Sequence, residues 1–284
     1  MCGFDSISKN RVRLLKIGDF DSGYVGLSIL EKIRARLPQY DYVYFGDNAR
    51  TPYGPRSFEV VYQYTLECVK RLFEEDCQLV ILACNTASAK ALRTIQQNDL
   101  PKIAPSRRVL GVIRPTVEAI GEITKTRCVG LVATEGTIQS NSYPLEVAKL
   151  FPDIEVIGQP CPMWVPLIES NEHNTPGADY FVHKYVDALF SKKENIDTLI
   201  LGCTHYPLLL GQIEKAVPAG VKVLTQGDIV AASLEDYLLR HPEIDTLCSR
   251  GGTVRFLTTE SVEKFASSAS IFLNQPILAE HITL

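Results

Sequence analysis

Two cysteines occupy matching positions at the ends of strand-like segments. Cys84 follows the apolar run at residues 79–83, Cys203 follows the run at residues 198–202, and polar residues come after each. Because the N–H groups at the start of a helix favour negative charge, a thiol there is predicted to have a lowered pKa, and the same groups can bind a carboxylate. His205 could pair with the thiolate of Cys203 or relay its proton. The plainer alternative for either thiol is a buried core cysteine.

A pair of thiols on opposite sides of one carbon atom could invert its configuration. One thiolate would remove a proton from one face, the other thiol would return a proton to the opposite face, and the roles would exchange with the handedness of the substrate. A proton next to a carboxylate is weakly acidic, so the site must stabilise a carbanion-like state and exclude water. We recognise no pyridoxal-phosphate signature, and a route without a cofactor is the simpler interpretation.

Further polar residues stand in turns that follow other strand-like runs. Asp21 and Ser22 belong to FDSG, Asp47 to FGDN and Glu169 to LIES. A carboxylate near the site could accept or relay a proton, but each acid could equally cap a helix or face solvent. Tyr53 and its neighbours could form a plain turn or offer backbone N–H groups to an anion.

The elements that must position these residues alternate along the chain. We expect strands at residues 14–20, 42–45, 79–83, 128–133, 154–158, 198–202 and 221–224, and amphipathic helices at 58–73 and 179–190. The strand runs are continuously apolar, which is typical of a parallel sheet buried on both faces. Repeated βα units predict an α/β fold. In such sheets ligands bind beyond the carboxyl ends of the strands, where all the polar turns lie.

The strand-and-turn pattern also occurs twice. LVILACNTAS resembles TLILGCTHYP, and KIGDFDSG resembles CVGLVATEGT. The two pairs have similar separations along the chain. We therefore expect two pseudo-symmetric α/β domains with largely parallel sheets and an active site in the cleft between them.

Composition excludes several other classes of protein. The chain has 284 residues, 45% hydrophobic and 22% charged, with a net charge of −4, which is ordinary for a globular protein and gives no basic footprint for nucleic acid. No apolar run reaches the ~18 residues of a spanning helix, and the N-terminal residues, Cys2 among them, show no secretory signal, so we expect a cytoplasmic protein.

The eight cysteines include no CxxC pair and no zinc-finger spacing, so we expect reduced thiols and no metal.

Six segments together resemble the glutamate racemases of the aspartate/glutamate racemase family. They are FDSG, YFGDNARTPYGPRS, ACNTAS, ATEGTIQSNSY, CPMWVPLIES and LILGCTHYPLL. The resemblance extends from about residue 16 to residue 276, and ACNTA followed by GCTHYP is highly specific to this group. It implies interconversion of L- and D-glutamate without a cofactor, which supplies D-glutamate for peptidoglycan.

The resemblance also implies roles for individual residues. Cys84 would deprotonate D-glutamate with help from Asp21, and Cys203 would deprotonate L-glutamate with help from His205. Glu169 and Asp47 would be supporting acids. The substrate would be held by a larger set of residues: Asp21, Ser22, Pro52, Tyr53, Gly54, Asn85, Thr86, Thr134, Thr137 and Thr204.

The family fold implies a division of the chain. The first domain would comprise residues 1–111 and 226–284, and the second would comprise residues 112–225. The family also implies a homodimer. The residues alone predict neither these domain boundaries nor the homodimer.

Two residues depart from the family pattern next to Asp21. Asp19 stands where an apolar strand residue is expected, and a buried carboxylate without a partner would be destabilising. Val25 replaces an expected glycine, and a β-branched residue would be strained there if that position has a positive φ.

Three other functions remain open at this point. A racemase of aspartate or of a hydantoin would share the cysteine pair and differ in the groups that bind the side chain. A cysteine hydrolase or amidase would need one nucleophile and form an acyl-enzyme, which leaves the second cysteine unexplained. A binding or regulatory protein without activity is the third.

Overall fold

The structure is a computed structural model that describes residues 15–273 and 276–284. Cys2 and the other residues before Leu15, including the first residue of the strand expected at 14–20, lie outside the described residues. The strands form two sheets, both entirely parallel. Their bounds are β1 Lys16–Asp21, β2 Tyr42–Gly46, β3 Cys77–Leu82, β4 Arg108–Gly111, β5 Cys128–Ala133, β6 Glu155–Pro160, β7 Thr198–Gly202, β8 Lys222–Leu224, β9 Val254–Thr258 and β10 Ala279–His281.

Helices connect the strands and cover both sheets. They are α1 Leu27–Arg36, α2 Phe58–Glu74, α3 Asn85–Lys90, α4 Leu92–Thr94, α5 Leu100–Ile103, α6 Ile113–Ile123, α7 Glu135–Gln139, α8 Ser142–Leu150, α9 Trp164–Glu169, α10 Pro176–Phe190, α11 Leu210–Ala216, α12 Gly227–Arg240, α13 Pro242–Asp245 and α14 Val262–Leu273. Short 3₁₀ segments lie at Asn48–Arg50 and Tyr206–Leu209, and a π-helical turn at Ile95–Asp99.

The two sheets repeat one topology, which confirms the predicted fold class. The first has the order β10-β9-β2-β1-β3-β4 and the second the order β6-β5-β7-β8. Strands β2-β1-β3-β4 therefore correspond to β6-β5-β7-β8. In this correspondence Cys84 follows β3 and Cys203 follows β7, so the thiols leave equivalent strands.

Burial on both faces explains why the central strands read as apolar runs. Ile17 of β1 packs into the core on one face of the first sheet, and Phe20 packs into the core on the other. In the second sheet, Val132 and Leu131 of β5 likewise enter separate cores. Apolar side chains are thus required at successive positions of these strands.

The expected strands are all present within the described residues, with ends shifted by up to two residues, but three further strands were not predicted. They are β4, β9 and β10. Strand β4 is short and half-buried, β9 carries Arg255, and β10 is a three-residue edge strand with exposed Glu280 and His281. None of these forms a continuous apolar run.

The strands of the first sheet come from both ends of the chain. Strand β9 lies beside β2, whereas β5 to β8 form the second sheet without other strands. This arrangement supports the division into residues 1–111 with 226–284 and residues 112–225, which we keep as a proposal.

Val25 is buried without backbone strain. In the described chain, the residues other than glycine with positive φ are Asp76, Arg127, Asn141 and Asn171. The strain considered for Val25 is therefore absent.

Candidate active site

A cavity of about 90 Å³ lies where the carboxyl ends of the two sheets face each other. Both Cys84 and Cys203 line it. Its size is well below the ~300–1,000 Å³ of sites for drug-sized ligands, which favours a small metabolite. The other lining residues are Ser22, Thr51, Pro52, Tyr53, Gly54, Pro55, Asn85, Thr86, Thr134, Glu135, Cys161, Pro162, Val165, Pro166, Thr204 and His205.

Four of the predicted site residues do not line the cavity wall. Asp21, Asp47, Glu169 and Thr137 lie behind it. The last three bond to the cavity residues Tyr53, His205 and Thr86 respectively, and Asp21 directly precedes Ser22 in the chain. All the other predicted residues are at the wall.

Cys84 is the residue just before α3 and is only 6% exposed. Its Sγ atom lies 3.4 Å from Ser22 Oγ. Burial raises the pKa of the Cys84 thiol to about 12, the negative charge of Asp21 adds to this, and hydrogen bonds from Ser22 and the backbone of Ala87 oppose it without prevailing. The prediction of a lowered pKa was wrong for this cysteine, because desolvation outweighs the N–H groups of a short helix.

Cys203 belongs to a hydrogen-bonded chain of three side chains. Its Sγ atom lies 3.7 Å from His205 Nδ1, and His205 Nε2 lies 2.6 Å from Glu169 Oε1. Thr204 Oγ1 is 3.4 Å from the same Nδ1 atom. Glu169 and Cys203 therefore hold opposite nitrogens of one buried imidazole, which fixes its orientation.

The surroundings of His205 favour the cationic form of its imidazole. Burial lowers the pKa of its imidazole, but the hydrogen bonds to Cys203 and Glu169 and their negative charges outweigh burial and raise the pKa to about 10. The ordinary value in an unfolded chain is about 6.5. The resulting stabilisation is complete below about pH 6.5 and is lost as the pH rises to about 10.

Replacing Glu169 with glutamine tests this chain of side chains. Because one stabilising charge is lost, Glu169→Gln is expected to lower the pKa of His205, move the alkaline limb of the activity profile to lower pH, and reduce kcat/KM by roughly tenfold. The measurement is kcat/KM for racemisation against pH. Glu172→Gln makes the same change at an exposed residue nearby and should alter neither. An unchanged alkaline limb in Glu169→Gln would contradict the role of the pair.

Asp21 is the last residue of β1 and is fully buried. Its Oδ2 atom accepts hydrogen bonds from the backbone N–H groups of Gly23 and Gly26, both at 3.1 Å. A Cβ atom at Gly26 would lie 2.4 Å from Asp21 Cβ, so only glycine permits this approach. Burial raises the pKa of Asp21, although the charge of His205 and the two N–H groups act in the opposite direction.

Three threonine hydroxyl groups meet across the cleft. Thr86, which follows β3 of the first sheet, has its Oγ1 atom 3.0 Å from Thr134 Oγ1 and 3.4 Å from Thr137 Oγ1. Thr134 and Thr137 follow β5 of the second sheet. Thr134 Oγ1 also accepts a hydrogen bond from the Thr137 N–H group and so begins α7. The Thr86–Thr134 pair offers the cavity hydroxyl groups from both halves of the molecule.

The loop after β2 reaches across to the second half. Gly54 O accepts a hydrogen bond of 3.0 Å from Gly136 N, and a Cβ atom at Gly54 would lie 2.9 Å from Thr134 Cβ. Asp47 holds this loop from inside, because it accepts hydrogen bonds from Arg50, Tyr53 and Thr259. Asp47 is therefore placed to shape the loop and not to contact a ligand.

Other cavity residues were not predicted. Cys161, Val165 and Pro166 belong to CPMWVPLIES, a segment that contributed to the resemblance but received no site residue except Glu169. The segment follows β6, which pairs with β5, and this position was the sequence feature that could have indicated that it reaches the cavity.

Among the described residues, no group of three or more His, Cys, Asp or Glu side chains is arranged to hold a metal ion. No helix among them is long and apolar enough to cross a membrane.

This fold and cavity define an amino-acid racemase built from two equivalent α/β halves. The model of the Asp/Glu/Hydantoin racemase family matches residues 25–234, and the chain belongs to that family. It is 41% identical to the glutamate racemase of Paracoccus denitrificans over 276 residues, which cover 94% of this chain and 99% of the relative.

Solved structures of glutamate racemases superpose closely on the chain. Isoform RacE1 from Bacillus anthracis has a TM-score of 0.86 at 34% identity and covers 95% of this chain and 98% of its own. The enzyme from Francisella tularensis, solved in complex with D-glutamate, has a TM-score of 0.83 at 33% identity and covers 95% and 97%.

Proposed function

We propose that the protein is a glutamate racemase that interconverts L- and D-glutamate without a cofactor and supplies D-glutamate for peptidoglycan synthesis. The observation that carries the proposal is the cavity to which equivalent turns of the two sheets each contribute one cysteine. The relatives at about 40% identity are glutamate racemases and match over nearly their full length.

The proton transfers follow from this placement. Cys203 as a thiolate takes the α-proton of L-glutamate, and Cys84 as a thiol returns a proton to the opposite face and gives D-glutamate. The reverse reaction exchanges the roles, so that Cys84 removes the proton and Cys203 returns it. His205 assists Cys203, and Asp21 assists Cys84 from behind the wall. The net change is inversion at the α-carbon with one proton removed and one returned.

The two thiols have different surroundings. Burial raises the pKa of Cys84 to about 12, whereas Cys203 lies 3.7 Å from the imidazole of His205, whose pKa is raised to about 10. A cationic imidazole at this position would stabilise the negative charge that Cys203 carries when it acts as the base.

Hydrogen-bond donors around the cavity would hold the substrate. Ser22, Thr86, Thr134 and Thr204 all present hydroxyl groups at the wall, and we propose that they bind the carboxylates and the ammonium group. Residues Pro52, Tyr53 and Gly54 close one side of the cavity. Such fixed donors stabilise the negative charge that develops when the α-proton leaves.

The test is incubation with L-glutamate in heavy water without added cofactor, followed by optical rotation and the α-proton signal. A racemase loses both. A hydrolase instead forms an acyl-enzyme that adds mass to one cysteine and leaves the α-proton in place. If neither signal changes under reducing conditions, glutamate is not the substrate, and the same assay with aspartate and with a hydantoin tests the related racemases.

Two further properties belong to the proposal. The cysteines from Cys68 to Cys248 are all free thiols, as expected in a reducing compartment, which supports a cytoplasmic location. A homodimer is proposed from the family resemblance alone. Light scattering coupled to size-exclusion chromatography would measure its mass directly.

A further inference from the structure

Asn85, the residue after Cys84, is held by a closed ring of hydrogen bonds behind the cavity wall. Asn85 Nδ2 donates to Gln226 Oε1 at 2.6 Å, Gln226 Nε2 donates to the Tyr143 hydroxyl at 2.9 Å, and that hydroxyl donates to Asn85 Oδ1 at 2.7 Å. Each of the three side chains thus donates to one neighbour and accepts from the other. Hydrogen bonds arranged head to tail in this way strengthen one another.

The ring is buried, and each of its polar atoms has a partner. Tyr143 is completely buried, and Asn85 and Gln226 are no more than 4% exposed. The second proton of Gln226 Nε2 goes to Thr116 Oγ1 at 2.8 Å, and the Thr116 hydroxyl in turn donates to the backbone oxygen of Val112. Opening the ring would leave buried polar atoms without partners, which is unfavourable.

The ring joins the two halves where the chain passes between them. Val112 follows β4 and precedes α6, and Gln226 follows β8 and immediately precedes α12. Asn85 lies on the side of the first sheet, whereas Tyr143 begins the α8 region on the side of the second. Both polar atoms of the Asn85 side chain bond within the ring while the residue lines the cavity, so the ring fixes its orientation at the cavity wall. The substrate-binding role that the resemblance implied for Asn85 stays a prediction.

We propose that Tyr143 and Gln226 are positioning residues of the racemisation reaction. By closing the ring on Asn85 they fix the adjacent Cys84 at the angle from which its thiol reaches the α-carbon, and they tie that angle to the second half of the molecule. Cys203 is outside this ring and is oriented by His205 instead. Each of the two thiols thus has its own positioning device. This inference rests on the proposed function.

The experiment opens the ring by removing one hydroxyl group, as Tyr143→Phe. Because an error of about 1 Å in a reacting group can reduce rates by ~100-fold, we expect kcat/KM to fall by roughly tenfold. The fall is equal for L- and D-glutamate, since both directions pass through both proton transfers. The step at Cys84 becomes limiting, so the primary isotope effect increases for α-deuterated D-glutamate and decreases for α-deuterated L-glutamate.

Two control variants separate positioning from loss of stability. Thr116→Val removes a bond next to the ring but leaves the ring closed, and Tyr42→Phe removes a buried hydroxyl that donates to Leu37 O in the first core. Both should be less stable than the parent protein and keep its isotope effects. Gln226→Met opens the ring at another corner and should reproduce Tyr143→Phe, so the test survives if one of these variants does not fold.

Alkylation of the cysteines supplies a readout that does not depend on glutamate. The rate of modification by iodoacetamide, measured at each cysteine by mass spectrometry, should change at Cys84 and not at Cys203 in Tyr143→Phe. If the ring-opening variants keep the isotope effects and the Cys84 alkylation rate of the controls, the proposal is wrong. If the parent protein does not racemise glutamate at all, the proposed function fails, and the alkylation rates still decide whether the ring positions Cys84.

Discussion

Replacing either Cys84 or Cys203 with serine is expected to abolish racemisation in both directions, with a loss of about a thousandfold or more. A positioned acid or base contributes about 10²–10⁴-fold, and a serine hydroxyl is too weakly acidic to act as the anion that takes the α-proton. Both directions use both thiols, so one substitution blocks both. The measurement is the change in optical rotation from pure L-glutamate and from pure D-glutamate.

Exchange of the α-proton in heavy water then assigns each face. Cys203→Ser should still exchange the α-proton of D-glutamate through Cys84, and Cys84→Ser should still exchange that of L-glutamate through Cys203, in both cases without inversion. Cys248→Ser is the matched control, because Cys248 is a buried thiol in the first core whose Sγ donates to Ile244 O. Near-normal turnover in either single variant would overturn the two-thiol mechanism.

The sequence predicted the turns that carry the thiols because their strands are buried on both faces. Such strands require apolar side chains at consecutive positions. The apolar runs of β3 and β7 are each followed by a cysteine and polar residues, after the small residues Ala83 and Gly202. Parallel topology then brings the carboxyl ends to one edge of each sheet. A shared cavity requires in addition that the two edges face each other, and the structure places both cysteines in one cavity.

Properties that depend on distant parts of the chain could not be predicted in the same way. The pKa of Cys84 has the opposite direction to the local expectation, because burial and Asp21, which is 63 residues earlier, both act against the helix start. The ring around Asn85 joins residues that are 58 and 141 positions away in sequence. Tyr143 ends the segment ATEGTIQSNSY, but nothing in that segment indicates its partners, and Gln226 belongs to none of the segments that carry the resemblance. The strands β9 and β10 escaped prediction because they are partly exposed and not continuously apolar.

Asp19 is a carboxyl group in an apolar core. It pairs with Tyr44 and Ile81 on neighbouring strands, and both of these belong to the hydrophobic core that also contains Ile17. Asp19 is completely buried, and neither of its carboxyl oxygens has a hydrogen-bond partner among the described residues. Burial, reinforced by the charge of Asp21, holds the pKa of Asp19 well above its ordinary value. The expectation of a destabilising carboxyl at this position therefore agrees with the structure.

Asp19→Val is expected to raise the free energy of unfolding at neutral pH by about 2–3 kcal/mol, since a buried polar group without a partner is unfavourable by about 1–3 kcal/mol and an ionisable one by more. The pH dependence has a definite sign. The folded protein retains a proton on Asp19 that the unfolded chain releases above about pH 3.9, so stability falls as the pH rises from about 4 towards the raised pKa of the folded state. The advantage of the valine variant should therefore grow over that range, by at most about 1.4 kcal/mol per pH unit.

Asp19→Asn separates the two causes, because it has nearly the size and polarity of the parent side chain but does not titrate. Relative to the parent it should gain stability with rising pH, while remaining less stable than Asp19→Val at every pH, since its amide is still unpaired in the same core. Urea unfolding of the three proteins at several values between pH 4 and pH 8 provides the comparison, and the titrations that they share cancel in the differences. Parallel stability curves would show that Asp19 does not change protonation on folding. Asp19 and Asp21 are two residues apart and therefore lie on the same face of β1. Parallel curves would thus also mean that a further group compensates the buried charge of Asp19, close to the carboxylate proposed to assist Cys84.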